Sequence, residues 1–303
     1  MSIKRVLVTD GMEAGAMAKL REDGFEVVEK FYEPDELGTA LRDFDAVIIR
    51  SATKIKEPQI DAAKGGKLKV IIRAGVGVDN IAVKYAEENG FVVKNTPRAS
   101  SNAVAELAIA LLFACARNIS IAGHTMREQK WEKKAYSKGF EVSGKVVGVI
   151  GYGRIGQMVG QKCQALGASV LSYVNRHKPE GCECETMKFV SPDEVYSQSD
   201  IIILCAPGGA KPLVDAESIA KMKDGVVIVN VSRGSNVDEA ALLEALNSGK
   251  VKAAGIDVWL SEKDPNWELA AHPAVACLPH VGAGTKEAQK RIGAELVDII
   301  EAL

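Results

Sequence analysis

Residues 145–156, KVVGVIGYGRIG, constrain the fold of this chain more than any other stretch. The apolar run before Gly151 predicts a short strand buried on both faces, as parallel sheets require. A periodic segment, 157–166, follows the glycines and predicts a helix that ends at Gly167. A strand, G-x-G-x-x-G and a helix in this order are typical of a dinucleotide-binding turn, whereas the glycines alone would be weak evidence.

Each glycine of this motif has a predicted task. Gly151 permits the tight turn, Gly153 lets the backbone approach a pyrophosphate, and Gly156 lets the helix pack closely against the strand. The N-terminus of the helix then faces the anion. The motif in its context therefore favours a dinucleotide site over a purely structural turn.

Size and composition are those of an ordinary globular protein. The 303 residues suffice for one or two domains, and the contents of 47% hydrophobic and 26% charged residues are typical of globular proteins. The net charge of −2 gives no reason to expect nucleic acid or an anionic membrane as a partner. No run is apolar for the length of a membrane span and no signal peptide is evident, so we expect a cytoplasmic protein. The six cysteines, mostly in apolar segments, predict buried reduced thiols, and no cluster has metal-ligand spacing, so we expect no metal.

Two series of alternating strands and helices follow from the hydrophobic pattern. The first covers residues 1–95, the second begins at Lys145, and an amphipathic helix occupies 285–303. Such alternation predicts parallel sheets covered by helices, and the simplest architecture is two α/β domains with a cleft between them. The predicted strands are 5–9, 25–28, 46–49, 68–72, 91–93, 145–150, 169–173, 201–204, 226–230, 253–257 and 275–278. The predicted helices of the first series are 12–23, 34–42, 56–64 and 81–89.

Residues 118–142 differ from both series because they are charged, contain scattered aromatic residues and include no predicted strand. A long apolar helix, 103–116, precedes them, with Ser101 and Asn102 as candidate caps. An interface arm and a solvated loop with a short helix account equally well for this segment.

Three polar residues follow predicted strands, where open α/β sheets place their ligands. Arg233 follows VVIVNVS and lies between a buried strand and a helix, which suits an anion-facing role. Glu262 follows Asp257 by a few residues, and by itself it would be a surface acid. His280 follows AVACL, opens a glycine-rich turn and is the best of the four histidines for acid–base work.

Six motifs occur in order along the chain: RAGVGVDNIAV (73–83), NTPRASSNAVAEL (95–107), GYGRIG (151–156), NVSRGSNVDEAALLEAL (230–246), GIDVW (255–259) and PHVGAGTKEAQKR (279–291). Together they resemble the D-isomer-specific 2-hydroxyacid dehydrogenase family, and within it the D-3-phosphoglycerate dehydrogenases of short form. The resemblance covers nearly the whole chain and implies two Rossmann-like domains. Residues 1–97 plus 283–303 would form a flavodoxin-like substrate domain, and 98–282 the dinucleotide-binding domain. It also implies a homodimer formed through the dinucleotide-binding domains and the arm 118–142.

The positions that match Arg233, Glu262 and His280 are catalytic in this family. The resemblance implies that Arg233 binds the substrate carboxylate and polarises the keto oxygen. His280 would exchange a proton with that oxygen, while Glu262 would bond the other ring nitrogen and so orient the imidazole.

The resemblance also assigns substrate and cofactor contacts. A basic residue of the arm helps to bind phosphate in the phosphoglycerate branch, and the matching residue here is Lys133, with Lys54 as a second cation; solvated lysines are the alternative. The remaining substrate contacts are Arg50, Ser51, Arg73 and the backbone of Gly75 and Val76. The cofactor contacts are Gly151, Tyr152, Gly153, Arg154, Ile155 and Gly156 at the pyrophosphate, Pro207 and Val231 at the adenine and nicotinamide pocket, and Asp257 at the carboxamide. The segment 205–214 is shorter than the family pattern.

The largest departure from the family is Val174, which stands where an acid usually takes both ribose hydroxyls. Valine cannot accept those bonds, and Arg176 stands where NADP-using members keep a cation for the 2′-phosphate. The alternative is that Asn175 and the backbone hold an NAD ribose and Arg176 faces solvent. The branch favours NAD(H), and NADP(H) is the competing hypothesis.

The sequence therefore predicts an NAD(P)-dependent oxidoreductase that transfers a hydride between a nicotinamide cofactor and a small D-2-hydroxy acid or 2-keto acid. The first candidate pair is D-3-phosphoglycerate and 3-phosphohydroxypyruvate, which would place the protein in serine biosynthesis. A hydroxypyruvate or glyoxylate reductase is the alternative within this class. A dinucleotide-sensing binding protein of the corepressor type is the alternative from another class, because such proteins can retain the three catalytic residues.

Overall fold

The structure is a computed structural model that describes residues 3–173 and 179–303. The chain divides into two compact units. Unit 1 consists of Met1–Ser101 and Ala283–Leu303, and unit 2 is Asn102–Gly282. Each unit is built on a sheet in which all neighbouring strands are parallel.

Unit 1 contains a five-stranded sheet in the order β2-β1-β3-β4-β5. This is the flavodoxin-like order, and its direction reverses between β1 and β3, where such sheets bind ligands. The strands are β1 Arg5–Val8, β2 Glu26–Glu29, β3 Ala46–Ile49, β4 Val70–Arg73 and β5 Val92–Asn95. The helices are α1 Ala14–Glu22, α2 Pro34–Ala40, α3 Glu57–Ala63, α4 Val83–Glu88 and, from the end of the chain, α13 Lys286–Glu301.

Both faces of this sheet are buried, as the short apolar strands predict. Val6 and Val8 point to one side, into a core that includes Leu296 of α13. Leu7 points to the other side, into a core with Leu37 of α2. Alternate strand residues thus face opposite layers of helices, which gives the sheet of a three-layer α/β unit.

Unit 2 contains a seven-stranded sheet in the order β12-β11-β10-β9-β6-β7-β8. The order reverses between β6 and β9, as in dinucleotide-binding sheets, where ligands bind at this switch point. The strands are β6 Val146–Ile150, β7 Ser169–Tyr173, β8 Met187–Phe189, β9 Ile201–Leu204, β10 Val226–Asn230, β11 Val251–Ile256 and β12 Val275–Cys277. The helices packed around them are α8 Arg154–Ala165, α9 Pro192–Gln198, α10 Ala216–Lys221, α11 Glu239–Ser248 and α12 Trp267–Ala271.

The arm predicted at 118–142 is helical in two places. A long helix, α5 Ser101–Arg117, leads into α6 Ile119–Arg127 and the single turn α7 Lys133–Tyr136. Helix α6 has no buried residue. In the described residues no single helix is long and apolar enough to cross a membrane; α5 and α6 together pass by length and composition, but they are bent by 67°.

The predicted strands and helices are present, with small shifts at their ends. The three-residue strand β8 was not predicted, because it is too short to show a period of two. Helix α8 begins at Arg154 instead of 157, because the glycine turn leads directly into helical backbone and the first helical residues carry no apolar period. The prediction of buried thiols is confirmed for Cys115 and Cys163 only. Cys182 and Cys205 are half-buried, Cys184 and Cys277 are exposed, and all six cysteines are free.

Candidate active site

The three predicted catalytic residues follow three neighbouring strands of unit 2. Arg233 follows β10, Glu262 follows β11 and His280 follows β12. Because these strands are parallel and adjacent, their carboxyl ends meet at the same edge of the sheet. The topology therefore places the three residues at one edge of unit 2.

The side chains of Glu262 and His280 are in direct contact. A carboxylate oxygen of Glu262 and Nδ1 of the His280 imidazole form a short hydrogen bond. Both side chains remain accessible, with exposed fractions of 48% and 37%. The bond to a carboxylate directs a proton to Nδ1, so Nε2 of the ring is left for exchange with a substrate.

His280 adopts a left-handed backbone conformation, with φ of 54°. Its N–H donates to the carbonyl of Asp257 at 2.8 Å, and the next two N–H groups, of Val281 and Gly282, donate to the Asp257 carboxylate at 2.8 and 2.9 Å. Burial raises the pKa of Asp257, while the N–H groups of Val281 and Gly282 oppose that shift. A buried acid thus holds the turn that carries His280, a role that sequence reasoning missed.

The loop that carries Arg233 is held by a buried polar network. Asn230 accepts hydrogen bonds from the N–H and the hydroxyl of Ser232 at 3.1 and 2.8 Å, and its amide donates to the Arg233 carbonyl at 2.8 Å. The Asn236 amide donates to the Ser232 hydroxyl at 2.9 Å. The guanidinium of half-buried Arg233 donates to the Ser232 carbonyl at 2.6 Å. These buried hydrogen bonds fix the backbone of the loop, so the Cα of Arg233 has a defined position.

The glycine turn between β6 and α8 has the geometry that a bound dinucleotide needs. Gly151 has φ of 93°, and a Cβ there would lie 2.6 Å from the backbone of Ala206. A Cβ at Gly156 would lie 2.0 Å from the carbonyl oxygen of Gly151. At Gly153 a Cβ would meet no atom within 4 Å, so the backbone there is open to a ligand. The residues present therefore fit a pyrophosphate at the N-terminus of α8.

The other predicted cofactor contacts differ in exposure. The Tyr152 ring is buried edge-on against Phe189, with ring centroids 5.3 Å apart, so only its backbone could face a ligand. Pro207 is exposed after β9, and Val231 is buried after β10. Arg154 and Ile155 form the first turn of α8. The predictions for Val174, Asn175 and Arg176 lie outside the described residues.

In unit 1, the loop that carries Arg50 and Ser51 is held on two sides. The Asp10 carboxylate accepts hydrogen bonds from the N–H groups of Arg50 and Thr53 at 2.7 and 3.0 Å, and from the Thr53 hydroxyl at 2.6 Å. The Asn80 amide donates to the carbonyls of the same two residues at 2.6 and 2.7 Å. The loop lies at the switch point of the unit 1 sheet, so its fixed backbone offers a defined ligand site.

Sequence reasoning did not identify Asp10 or Asn80. Asn80 belongs to the motif RAGVGVDNIAV, and Asp10 lies two residues after the end of β1, so both positions carried a signal. Neither position indicated which residues these side chains bond, because the hydrogen bond from Arg50 to Asp10 joins residues 40 positions apart.

The loop after β4 is shaped by Arg73 and Gly75. The guanidinium of Arg73 donates to the Ala74 carbonyl at 2.6 Å. Gly75 has φ of 147°, and a Cβ there would lie 1.4 Å from an Arg73 side-chain nitrogen. The N–H of Gly75 donates to the Arg73 carbonyl at 2.9 Å, whereas Val76 is exposed. Val76 is thus the accessible residue of this loop, although its carbonyl accepts a hydrogen bond from the Asn95 amide at 2.6 Å.

The remaining predicted substrate contact, Lys133, begins α7 and is exposed, as is Lys54 in unit 1. In residues 3–173 and 179–303, no group of three His, Cys, Asp or Glu side chains lies where it could hold a metal ion.

Comparisons with known proteins agree on one family. Residues 109–282 match the model of the D-isomer specific 2-hydroxyacid dehydrogenase, NAD binding domain. The hydroxypyruvate reductase of Thermotoga maritima is 44% identical over 99% of this chain and 98% of its own length. The D-3-phosphoglycerate dehydrogenase of Archaeoglobus fulgidus is 41% identical over 95% of this chain and 55% of its own length, so the chain spans about half of that relative.

Solved structures agree with these matches. A glyoxylate reductase from Paecilomyes thermophila superposes with a TM-score of 0.90 at 30% identity, covering 100% of this chain and 95% of that one. A D-lactate dehydrogenase from Aquifex aeolicus, in complex with NAD and lactic acid, gives 0.88 at 26% identity over 98% of this chain and 94% of that one. An NADPH-dependent glyoxylate/hydroxypyruvate reductase from Sinorhizobium meliloti, in complex with NADP and malonate, gives 0.87 at 29% identity over 99% and 93%.

Proposed function

The chain belongs to the D-isomer-specific 2-hydroxyacid dehydrogenase family, and we propose that its substrates are 3-phosphohydroxypyruvate and D-3-phosphoglycerate. The chain is an NAD(P)-dependent oxidoreductase, and unit 2 contains its NAD-binding domain. The observation that carries the proposed chemistry is the hydrogen-bonded pair of Glu262 and His280 at the strand edge that also carries Arg233. Unit 1 would bind the acid substrate.

We assign the catalytic steps to these three side chains. When bound, the nicotinamide cofactor supplies or accepts the hydride. Arg233 binds the substrate carboxylate through charge-assisted hydrogen bonds and polarises the keto oxygen. His280 donates a proton from Nε2 to that oxygen in reduction and removes it in oxidation. Glu262 accepts a hydrogen bond from Nδ1–H of His280, which keeps the proton on Nδ1 and leaves Nε2 available.

The cofactor site lies at the switch point of the unit 2 sheet in this proposal. The backbone of Gly153 and the first turn of α8 bind the pyrophosphate, because the space there is open and the helix N-terminus attracts an anion. Pro207, Val231 and Asp257 complete the pocket. We propose NAD(H) as the preferred cofactor, with Asn175 at the ribose. A NADPH preference that disappears in Arg176→Ala would instead assign Arg176 to a 2′-phosphate.

Accessible cations support the proposal of a phosphorylated substrate. Arg50 is half-buried on the loop held by Asp10, beside exposed Ser51, and presents its guanidinium from a fixed backbone. Lys54 and Lys133 are exposed and, in the described residues, form no salt bridge within the chain. Such cations bind phosphate oxygens by charge-assisted hydrogen bonds. In unit 1 we also assign Arg73, Gly75 and Val76 to the carboxylate end of the substrate.

Hydroxypyruvate is the second candidate substrate. The hydroxypyruvate reductase of Thermotoga maritima is 44% identical to this chain, and its substrate has the same three-carbon skeleton without the phosphate. The two candidates therefore make the same demands on Arg233, Glu262 and His280. The two candidates differ only in whether a phosphate group is present for the cations of the protein to bind.

Initial rates test both candidates directly. We would measure kcat/KM for 3-phosphohydroxypyruvate, hydroxypyruvate, glyoxylate and pyruvate, each with NADH and with NADPH. A large preference for the phosphorylated acid that is lost in Lys133→Ala or Arg50→Ala is the expected result. A preference for hydroxypyruvate that survives both substitutions would replace the first candidate by the second.

We also propose that the chain forms a homodimer in the cytoplasm, through the dinucleotide-binding domains and the arm 118–142. Helix α6 buries no residue within the chain, and the exposed apolar side chains of the arm are Ile119, Met126 and Trp131. An apolar surface of this kind is stabilised when a second copy covers it. Sedimentation of the wild type and of Met126→Glu would show a dimer that the substitution dissociates.

A further inference from the structure

Trp259 lies between the segments that carry Arg233, Glu262 and His280. It follows β11 by three residues and precedes Glu262 by three. Its side chain is only 7% exposed and packs in the core of unit 2. Burial alone would make it an ordinary core residue, but its backbone and its ring nitrogen make two specific contacts.

The first contact is between the backbone of Trp259 and the Arg233 loop. A Cβ at Gly234 would lie 2.0 Å from the carbonyl carbon of Trp259 and 2.3 Å from the nitrogen of Leu260. The glycine next to Arg233 therefore lies directly on the peptide group that joins Trp259 to Leu260. Only a residue without a side chain permits this approach.

The same peptide group is held from a second direction. The N–H of Leu260 donates to a carboxylate oxygen of Glu239 at 2.8 Å. Glu239 is the first residue of α11, which follows the Arg233 loop along the chain. The position of this peptide, and with it the start of the segment leading to Glu262, is thus set by the Arg233 loop and by α11.

The second contact joins the Trp259 ring to the segment before His280. The indole Nε1–H donates to the carbonyl of Leu278 at 3.0 Å. Leu278 lies two residues before His280, just beyond the end of β12. Among apolar side chains only tryptophan combines a large ring with such a donor.

We propose that Trp259 is a positioning residue that sets the placement of His280 relative to Arg233 and Glu262. The proposal rests on the catalytic roles assigned above to these three residues. The loops that carry Arg233 and His280 cannot by themselves fix the distance between these residues, because one loop follows β10, the other follows β12, and β11 lies between the two strands. Trp259 contacts both segments and is covalently joined to the third.

The variant Trp259→Phe tests this role, because phenylalanine keeps an aromatic ring and removes the N–H donor. Trp267→Phe is the matched control, since Trp267 is 65% exposed and its Nε1–H donates to Asp264 at 3.0 Å. We expect kcat with the best keto acid to fall about 10- to 100-fold in Trp259→Phe, as for a small misplacement of a catalytic group. The Kd for NADH should stay within twofold, and the control should match the wild type.

A readout without turnover separates this inference from the proposed function. The ¹⁵N chemical shifts of the His280 imidazole report its bond to Glu262, and we expect them to change in Trp259→Phe but not in Trp267→Phe. If Trp259→Phe changes the His280 spectrum while the wild type reduces none of the keto acids, the positioning role is supported and the proposed function is wrong. If Trp259→Phe is less stable but keeps the wild-type kcat and His280 spectrum, Trp259 only packs the core and the inference is overturned.

A second pair of variants tests the peptide group without disturbing the core. Glu239→Ala removes the acceptor of the Leu260 N–H, whereas Glu239→Gln keeps an oxygen at the same place. We expect kcat to fall in the alanine variant and to be retained in the glutamine variant. Equal activity in Glu239→Ala and the wild type would contradict the positioning of this segment.

Discussion

The Cα of Gly156 lies against the carbonyl oxygen of Gly151, so closely that a Cβ at position 156 would be 2.0 Å from that oxygen. This contact lets α8 begin immediately beside the end of β6, and it directs the helix N-terminus at the switch point of the sheet. Gly153 lies between the two and has open space where its Cβ would be.

The two glycines should therefore respond differently to alanine. Gly156→Ala should lower the melting temperature and weaken NADH binding, because α8 has to move away from the strand. Gly153→Ala should keep the wild-type melting temperature and still weaken NADH binding, because its methyl group would occupy space assigned to the pyrophosphate. Thermal unfolding and fluorescence titration with NADH measure both effects. Unchanged NADH affinity in Gly153→Ala would show that the pyrophosphate does not bind at this turn.

His280→Ala should abolish most turnover and leave NADH binding intact. The imidazole is the assigned proton donor, and such a group contributes about 10²–10⁴ in rate. Glu262→Gln should reduce kcat less, because the amide oxygen can still accept a hydrogen bond from Nδ1–H, although the negative charge is lost. Steady-state rates with a keto acid and titration with NADH test both variants. Retained turnover in His280→Ala would show that His280 is not the proton donor.

Asp10→Ala should raise KM for the acid substrate without changing the Kd for NADH. The carboxylate holds the N–H groups of Arg50 and Thr53, and loss of a hydrogen bond to a charged group costs about 1.5–3 kcal/mol. If that cost falls on the substrate-bound loop, KM should rise by at most ~100-fold. Asp10→Asn is the control, since its oxygen keeps an acceptor in the same place. Equal KM values in the alanine variant and the wild type would show that the Asp10 carboxylate does not position the substrate contacts of this loop.

Acid should destabilise unit 2 in part through Asp200. Its carboxylate accepts the N–H of Val146 at 2.9 Å and pairs with Lys223 at 2.9 Å. Burial raises the pKa of Asp200, but these two partners outweigh burial and the net shift is downward from 3.8. A lowered pKa means that the contribution to stability is present above pH 3.8 and is lost as the pH falls through the folded-state pKa.

Asp200→Asn therefore should lower the melting temperature at pH 7 by several degrees and have a smaller effect in the acid range. Melting curves of the two proteins between neutral and acid pH measure this difference. The same temperature difference at every pH would contradict the assignment to ionised Asp200.

The strands and the dinucleotide turn could be predicted from the sequence because their signals are local. The buried strand before Gly151 shows in consecutive apolar residues, and the fingerprint occupies six positions. The strand β8 was not predicted, because three residues are too few to show a hydrophobic period of two. The six ordered motifs indicated the family, and the comparisons confirm it.

The candidate site could be predicted as a set of residue types but not as an arrangement. The pairing of Glu262 with His280 was expected from the resemblance, and the structure places these side chains in contact. The clamp of Asp10 on the Arg50 loop was not expected, nor was the bond from Trp259 to Leu278, which joins residues 19 positions apart. No local pattern predicts such bonds, because they depend on which strands are neighbours.

The sequence by itself determined the α/β class, the position of the dinucleotide turn and the identity of the polar residues at the strand ends, since hydrophobic period and glycine spacing are properties of short segments. Only the tertiary structure decided which of these residues meet. The order β10-β11-β12 brings the Arg233, Glu262 and His280 segments to one edge, and Gly234 and Trp259 set their spacing. Contacts between distant segments follow from strand order and close packing, which no stretch of sequence contains alone.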